Sequence, residues 1–414
     1  MVIITNNRAS LFACFISLFE KGSTKIKLFY RQFSIRNRQI PQKTGMKGAL
    51  PRKNKEKCRV LVAPLDWGLG HATRCIPLIH ALEKAGADVW LAGEGPQETL
   101  LKAEFPQLAF LPLKGYGVRY ARSARGMMAK ILIQIPAIRR AIRAENKWLG
   151  TAIKEYEFDA VISDNRYGLY HKSIPCIILT HQLAIKSGLG DWADQILQKW
   201  NYSYLKNFSA CWIPDQEENG GLAGELSHPQ FKPPIPFKYI GSLSRFQKLD
   251  LPIKKNKLLV ILSGPEPQRS IFEEMIFRDI AHYPGEATVI RGLPANRTHV
   301  PSTGMIQIHN HLDAETLNSE MNEAEYVIAR SGYSTIMDAF RLGKKCIFIP
   351  TPGQTEQEYL GDYLQEKKWA ISVEQKNFQL SQALQAAEKF EFKNTMIEND
   401  SLDQMVNHWV ENLL

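Results

Sequence analysis

The stretch PLDWGLGHATR, residues 64 to 74, places two glycines and a histidine directly after the apolar run CRVLVA. Gly68 and Gly70 let the backbone turn tightly and leave room for a ligand close to the main chain. His71 falls in the first turn of a predicted helix, and an imidazole titrates near neutral pH, so it can take a proton from a reacting hydroxyl group. The alternative for His71 is a polar helix-start residue that bonds a nearby carbonyl group. Its position after a strand favours a site.

A second stretch, ARSGYSTIMDAF at residues 329 to 340, pairs a strand end with small hydroxylated residues. The strand YVIARS ends at Gly332, and Ser334 and Thr335 open the next helix, where N–H groups and the helix dipole attract anions. A diphosphate would bind there without a metal ion, and Asp338 could accept hydrogen bonds from ribose hydroxyls one turn deeper. Ser334 and Thr335 equally suit a simple helix cap.

A third stretch, PTPGQTEQEYLGDYL at residues 350 to 364, turns at Gly353 and places Gln354, Glu356 and Gln357 at a helix start. Side chains that both donate and accept hydrogen bonds suit sugar hydroxyls. The alternative is a solvated helix start in which the dipole favours an acid.

A fourth stretch, LSGPEPQR at residues 262 to 269, follows the first strand of the second half of the chain. Ser263 and Gly264 could approach a phosphate, and Arg269 could add a positive charge. The two prolines remove N–H donors, so this loop would bind an anion less well than a glycine loop.

The first half of the chain offers a second proton acceptor at the end of the run DAVISD. Asp164 projects from that strand end, and the alternative role for it is a cap of the next segment. Five neighbouring residues are predicted to line a ligand pocket with it, namely Asn165, Arg166, Tyr167, His181 and Gln182.

These stretches need parallel strands to position them, because ligands bind beyond the carboxyl ends of such strands. From residue 58 the sequence alternates β-branched runs with amphipathic helices, and each pair of strands in the second half is predicted to flank a helix. The predicted strands are RVLVAPL, DVWLAGEG, LAFLPL, DAVISD, IPCIILTH, CWIPD and FKYIG, followed by KLLVILSG, ATVIRG, MIQIHNHL, YVIARSG, KCIFIPTPG and AISVE. The sequence thus predicts an α/β protein with two tandem Rossmann-like, doubly wound domains facing one cleft.

The length of 414 residues suits two domains, and the charge separates the N-terminus from the rest. The predicted division is 1–57 as an N-terminal extension, 58–243 and 257–400 as the two domains, 244–256 as a polar linker, and 401–414 as a C-terminal helix. Residues 1–57 hold 13 Lys and Arg against 2 acids, which leaves 39 against 40 for the remaining chain. The nearly neutral body argues against a nucleic-acid partner. The extension contains the apolar run LFACFISLF and could be a targeting or membrane-surface segment. The alternative is that translation starts at Met46 and that the upstream residues are a disordered tail or an extension of the reading frame.

The six cysteines are scattered without a C-x-x-C pair, which is typical of reduced thiols in the cytosol. No apolar run approaches the roughly 20 residues that cross a bilayer. The basic and apolar stretch from residue 119 to 148 could rest on an anionic membrane, and a core helix with a solvated basic face explains it equally. We therefore predict a cytoplasmic protein, with peripheral association at the inner face of the cytoplasmic membrane as the further hypothesis.

In this order and spacing, the four stretches resemble those of the GT-B glycosyltransferases, most closely the MurG-like glycosyltransferase family 28. The resemblance covers about residues 58 to 412. In that family the glycine loop with histidine, here GLGH, faces the acceptor, and the segment that here reads RSGYSTIMDA binds the donor diphosphate and ribose. A glutamine shortly after a proline, here Gln357 with Glu356 beside it, contacts the donor sugar. The resemblance implies that a sugar is transferred, with inversion, from a UDP-sugar to an acceptor. The expected acceptor is a lipid-linked or cell-envelope molecule.

The resemblance assigns the candidate residues to two sides of the cleft. The predicted donor-binding residues are Ser263, Gly264, Arg269, Leu312, Arg330, Ser331, Gly332, Ser334, Thr335, Asp338, Gln354, Glu356 and Gln357. The predicted acceptor-side residues are Gly68, Gly70, Asn165, Arg166, Tyr167, His181 and Gln182, with His71 as the first candidate for the catalytic base and Asp164 as the second.

The chain contains no D-x-D motif, and the H-x-H pair at residues 309 and 311 has no neighbouring carboxylate or thiol set. A metal site is therefore not predicted, and the UDP-sugar is a co-substrate with no further cofactor. Two other functions stay open: an epimerase or hydrolase of the same fold, which would need several acids near the sugar, and a nucleotide-sugar-binding protein without catalysis.

Overall fold

The computed structural model describes residues 57–117, 124–294, 298, 300–393 and 402–413, with the side chains of 124–133 left out. The predictions for the N-terminal extension, and for the first part of the basic and apolar stretch, lie outside these residues. In the described part of the chain, no helix combines the length and apolarity that a membrane span requires.

The first domain is built on a seven-stranded sheet in which all neighbouring strands are parallel. Its strands are β1 (Arg59–Pro64), β2 (Asp88–Gly93), β3 (Ala109–Pro112), β4 (Ala160–Asp164), β5 (Cys176–Leu179), β6 (Ala210–Ile213) and β7 (Phe237–Tyr239). They lie in the order β3-β2-β1-β4-β5-β6-β7. The accompanying helices are α1 (Leu69–Lys84), α2 (Pro96–Glu104), α3 (Ala124–Tyr156) and α4 (Asp191–Leu205).

The second domain is built on a six-stranded parallel sheet. Its strands are β8 (Lys257–Ile261), β9 (Glu286–Ile290), β10 (Ile306–His309), β11 (Tyr326–Ala329), β12 (Lys345–Phe348) and β13 (Ile371–Ser372), in the order β10-β9-β8-β11-β12-β13. The helices are α5 (Gln268–Ile280), α6 (Ala314–Glu323), α7 (Tyr333–Arg341), α8 (Thr355–Glu366), α9 (Leu380–Lys389) and α10 (Leu402–Glu411).

The predicted fold class is confirmed, and each of the thirteen predicted strands is present. The strands were recognisable because both faces of a parallel sheet are covered, so that the strands are continuous apolar runs. The predicted helix between β9 and β10 is wrong for the described residues, which contain no helix there. Helix α4 was not predicted.

The register of the strands brings the candidate residues to one edge of each sheet. In the first sheet Pro64 pairs with Asp164, and Asp164 pairs with Leu179. In the second sheet Ala329 pairs with Ile261 on one side and with Phe348 on the other. The loops that carry the four glycine-containing stretches therefore leave the sheets at their carboxyl ends.

Two segments join the domains. Residues 244–256, the predicted linker, lie against the second domain, where Phe246 is buried and the Leu249 amide donates to Asn322 Oδ1 at 3.0 Å. Helix α10 returns to the first domain, where Trp409 packs edge-on against Trp212 with ring centroids 5.1 Å apart. The domain limits themselves stay a prediction.

Candidate active site

The first turns of α1 and α7 meet between the two domains. Ser334 Oγ donates a hydrogen bond to the Gly70 carbonyl oxygen at 2.9 Å. A Cβ atom at Gly70 would lie 2.9 Å from Ser334 Oγ, closer than such atoms pack, so the glycine allows this approach. The glycine loop of the first domain and the small-residue loop of the second thus face one common cleft.

A cluster of three charged or titratable side chains lies directly beneath the glycine loop. His71 Nδ1 lies 3.0 Å from Asp164 Oδ2, and Arg74 Nε donates to the same oxygen at 3.0 Å. Arg74 Nη2 donates to Asp164 Oδ1 and approaches His71 Nδ1 at 2.8 Å. Asp164, at the end of β4, is fully buried, and Arg74 is 3% exposed. The carboxylate therefore has a guanidinium and an imidazole as immediate partners and no contact with solvent.

The charges in this cluster set its protonation. Burial opposes ionisation of Asp164, but the attraction of Arg74 and His71 outweighs it and lowers the pKa of Asp164 to about 2. Burial, and next the positive charge of Arg74, lower the pKa of His71 below its ordinary value. At neutral pH the cluster accordingly contains an ionised carboxylate beside a neutral imidazole.

His181 connects this cluster to the second domain. Its Nδ1 lies 3.3 Å from Arg74 Nη1, and its Nε2 lies 2.9 Å from Glu356 Oε1. Gln182 Nε2 donates to the other oxygen of Glu356. Tyr333 stacks on the His181 ring with centroids 4.0 Å apart. Both predicted acceptor-side residues of this loop therefore contact a predicted donor-side residue.

The starts of α7 and α8 lie side by side on the second domain. Gly332 precedes α7, and no side chain caps the helix. Ser331 Oγ donates to the Gln357 carbonyl oxygen at 2.8 Å, and Gln357 Oε1 accepts from the Thr351 amide at 2.9 Å. Gln354 occupies the position before α8, which also has no side-chain cap. The two uncapped helix starts form a surface that suits an anion and neighbouring hydroxyl groups.

Asp338 lies one turn into α7, and it is partly buried. Its Oδ1 accepts a hydrogen bond from Ser244 Oγ at 2.6 Å. Burial raises the pKa of Asp338 to about 6, although Arg245 and the Ser244 bond favour the ionised form. The aspartate therefore titrates close to neutral pH.

Other predicted donor-side residues lie around this surface. Gly264, in the loop after β8, has φ +104°, and a Cβ atom there would lie 3.7 Å from Thr351 Oγ1. Ser263, Leu312 and Thr335 are half-buried. On the opposite side, Gly68 precedes α1 with φ 103°, and its carbonyl oxygen accepts from Gln97 Nε2 at 3.2 Å.

Two arginines predicted to bind the donor are instead engaged by the protein. Arg330 is 1% exposed and donates to the carbonyl oxygens of Ile349 and Pro350 at 3.0 and 3.2 Å. Arg269 donates to Glu266 Oε1 at 2.6 Å and lies 3.3 Å from Glu273 Oε1. Arg269 has two carboxylates as partners. Arg330 is buried against carbonyl oxygens, and its Nε has no hydrogen-bond partner.

Arg166 likewise serves the interior of the first domain. It is fully buried, and its Nε donates to Glu145 Oε1 at 2.5 Å, while Nη2 donates to the Lys114 carbonyl oxygen at 2.5 Å. The neighbouring Tyr167 donates from its hydroxyl to Asn201 Oδ1 at 2.9 Å. Asn165 has φ 55° and is 5% exposed, with no hydrogen-bond partner for Oδ1. Of the three residues after Asp164, only Asn165 keeps a polar atom available next to the cluster.

Two residues of the site were missed by sequence reasoning. Arg74 lies three positions after His71, so both side chains are on one face of α1. A charged side chain among the apolar residues of that helix needs a buried acid as its partner, and this pattern could have indicated the role of Arg74. Tyr333 stands between Gly332 and Ser334, and its hydroxyl donates to the Pro214 carbonyl oxygen at 2.8 Å. No sequence pattern indicated that contact, since it joins separate domains.

The described residues contain no group of three or more His, Cys, Asp or Glu side chains placed to bind a metal ion. Five cysteines are described, and all are buried free thiols: Cys58, Cys75, Cys176, Cys211 and Cys346.

The two parallel-sheet domains and their shared cleft define the GT-B fold. Among solved structures, MurG of Acinetobacter baumannii matches with a TM-score of 0.51 and 13% identity, over 86% of this chain and 99% of that one. The Arabidopsis thaliana protein UGT89C1, complexed with UDP-L-rhamnose, matches with a TM-score of 0.53 and 13% identity, over 86% and 100%. These matches establish the fold.

Residues 302–408 match the Glycosyltransferase family 28 C-terminal domain. The chain is also 24% identical over 364 residues to the UDP-N-acetylglucosamine--N-acetylmuramyl-(pentapeptide) pyrophosphoryl-undecaprenol N-acetylglucosamine transferase of Pasteurella multocida, covering 85% of this chain and 92% of that one. The protein is therefore a glycosyltransferase of the GT-B fold, and its C-terminal part is similar to the C-terminal domain of glycosyltransferase family 28.

The buried pair of Arg166 and Glu145 predicts a stability effect that is separate from activity. Arg166→Met leaves the Glu145 carboxylate buried without its cation, and we expect it to lower the free energy of unfolding by about 3–5 kcal/mol. Urea unfolding followed by tryptophan fluorescence measures this loss.

The double variant Arg166→Met/Glu145→Gln is the control, because it removes both charges and keeps an oxygen that can accept from the Tyr116 hydroxyl and the Gly168 amide. It should recover part of the lost stability. If the single variant instead keeps wild-type stability, Arg166 does not have this structural role.

Proposed function

We propose that the protein transfers a sugar, with inversion, from a UDP-sugar to a hydroxyl group of an acceptor, and that His71 is the base. The observation that carries the proposal is the contact of His71 with the buried Asp164 directly opposite the uncapped start of α7. Inverting transfer needs one base at the acceptor hydroxyl and electrostatic stabilisation of the departing nucleotide diphosphate. The candidate base and the helix start that would stabilise the diphosphate lie on either side of one contact between the domains, in which Ser334 Oγ donates to the Gly70 carbonyl oxygen.

His71 suits the base better than Asp164 does. Asp164 is fully buried and engaged by Arg74 through both carboxylate oxygens. An acceptor hydroxyl cannot reach it without displacing those partners. The His71 side chain keeps 16% exposure. In the proposed form its Nδ1 proton is donated to Asp164 Oδ2, while Arg74 Nη2 donates to Asp164 Oδ1 and not to the imidazole. The Nε2 lone pair then serves the acceptor. Asp164 then orients the imidazole and stabilises the imidazolium that forms.

The donor would lie along the starts of α7 and α8. The N–H groups of residues 332–335 and the dipole of α7 suit the diphosphate, and Asp338 suits the ribose hydroxyls. Gln357 and Glu356, at the start of α8, are proposed to bind the sugar. Glu356 already accepts bonds from His181 and Gln182, but a carboxylate has about four lone-pair positions, which leaves room for a sugar hydroxyl.

A lipid-linked acceptor is the proposed class. The name of the Pasteurella multocida relative specifies a pyrophosphoryl-undecaprenol acceptor and a UDP-N-acetylglucosamine donor. Trp67, next to the glycine loop, is 41% exposed, and Arg140 and Arg143 are exposed on α3. An exposed tryptophan and basic side chains suit the surface of an anionic membrane, which supports peripheral association at the inner face of the cytoplasmic membrane as part of the proposal.

Incubation with a panel of nucleotide sugars, with and without a membrane extract, tests the proposal. The expected result is release of UDP from one UDP-sugar that rises when the extract is added. Release of UDP without transfer would identify a hydrolase, and interconversion of the sugar would identify an epimerase. UDP-sugar binding without any turnover would contradict an enzymatic role.

The role of His71 predicts a split between chemistry and binding. His71→Ala should lower kcat by about 10²- to 10⁴-fold, the usual contribution of a general base, while the Kd for the UDP-sugar changes little. Because the imidazole must be neutral, and its pKa is lowered, wild-type kcat/KM should fall on the acid side with a midpoint below about 6.5. Steady-state kinetics and isothermal titration measure these quantities.

His80→Ala is a matched control, since His80 lies on the same helix and is exposed. A comparable loss in both variants would attribute the effect to α1 as a whole.

The role of Asp338 predicts a pH dependence of donor binding. Only the ionised carboxylate accepts bonds from both ribose hydroxyls, and the pKa is raised to about 6. The Kd for UDP-N-acetylglucosamine should therefore be constant above pH 7 and rise by up to about tenfold per pH unit below pH 6. In Asp338→Asn the affinity should be lower near pH 8 and this dependence should disappear. A dependence that persists in Asp338→Asn would assign the titration to another group.

A further inference from the structure

We propose that Arg74 is the positioning residue that aligns the base on one side of the cleft with the sugar-binding carboxylate on the other. This inference rests on the proposed function of His71 and Glu356. It concerns contacts within the chain, so it can also be examined when no substrate is bound.

The guanidinium of Arg74 contacts three side chains at once. Nε and Nη2 hold the two oxygens of Asp164, Nη2 also lies 2.8 Å from His71 Nδ1, and Nη1 lies 3.3 Å from His181 Nδ1. Its side chain is 2% exposed, so water does not compete for these contacts. A planar fork of five N–H groups can serve three partners in fixed directions.

The contact with His181 determines which nitrogen of that ring carries a proton. A guanidinium can only donate, so His181 Nδ1 accepts from Arg74. His71 Nδ1 differs, because it also faces Asp164 Oδ2, to which it can donate. The proton of the neutral His181 ring is then on Nε2, which faces Glu356 Oε1 at 2.9 Å and donates to it. Tyr333 stacks on the ring and keeps its plane fixed. Through His181, Arg74 therefore orients a carboxylate that belongs to the other domain.

The contact with Asp164 fixes the base. Because Arg74 donates to both oxygens of Asp164, the carboxylate is held in one orientation. In that orientation Oδ2 lies 3.0 Å from His71 Nδ1. The charged and titratable groups that face His71 from the surrounding elements are Arg74 on α1, Asp164 on β4, His181 after β5 and Glu356 on α8. Cys75 also lies in this group, with Sγ 3.8 Å from Asp164 Oδ2. The positive charge of Arg74 lies beside His71 and therefore disfavours protonation of the imidazole.

Two substitutions separate the charge of Arg74 from its shape. Arg74→Gln removes the cation and should lower kcat by about 10²-fold through misplacement of the base, with little change in the Kd for the UDP-sugar. Without the cation the pKa of His71 rises, so the acid-side fall of kcat/KM should move to higher pH. Arg74→Lys keeps a cation near Asp164 but cannot reach His181 as well, so the acid-side midpoint should stay near that of the wild type while kcat stays reduced.

Nitrogen-15 NMR of histidine-labelled protein provides a readout that needs no turnover. In the wild type, His181 should carry its proton on Nε2 alone. In Arg74→Gln and in Arg74→Lys, a proton should appear on Nδ1 in part of the molecules, because the guanidinium that excludes it is gone, while Nε2 keeps its bond to Glu356. The His181 signals are assigned with a His181→Asn variant.

Arg59→Gln is the control, since Arg59 also pairs with an aspartate, Asp88, at 2.6 Å, but at the opposite end of β1. It should leave both the pH profile and the His181 signals unchanged. If Arg74→Gln does not fold, the Arg74→Lys spectra decide. An unaltered His181 proton position in the folded Arg74 variants overturns the inference, whatever their activity. Altered signals in a protein that turns over no nucleotide sugar would support it and reject the proposed function.

Discussion

The cleft depends on one electrostatic constraint, which is the neutralisation of a carboxylate that has no access to water. Asp164 ends a strand whose side chains are all buried, and an unpaired charge there would cost several kcal/mol. Arg74 supplies the positive charge, and His71 completes the surroundings of the carboxylate. A single buried acid thereby fixes two side chains of α1, and through Arg74 it also fixes His181.

The second domain takes part in this arrangement through close contacts that only small or correctly shaped residues permit. Gly70 lets the α7 start approach the α1 start, and Tyr333 fills the space beside His181. Glu356 then receives bonds from two residues of the first domain. The proton-accepting group and the proposed sugar-binding group are therefore parts of one continuous network, although they lie on different sheets.

Sequence reasoning recovered the strands and the shared sheet edge, because strand ends are visible as the points where apolar runs stop. It also named His71, Asp164 and Glu356, which the fold brings into one hydrogen-bonded network through Arg74 and His181. It failed where a residue's role depends on which partner the fold brings to it. Arg330, Arg269 and Arg166 all follow strands and were expected to face ligands, yet backbone carbonyls or buried acids engage them. Arg74 was overlooked, because its partner is 90 residues away in the chain. Charge pairing of this kind is decided by tertiary structure, which periodicity does not encode.

The packing of α10 on the first domain has a consequence for the order in which the protein can fold. Trp409, near the end of the chain, covers Trp212 of the first domain. The first domain is therefore completed only after the second domain has been synthesised.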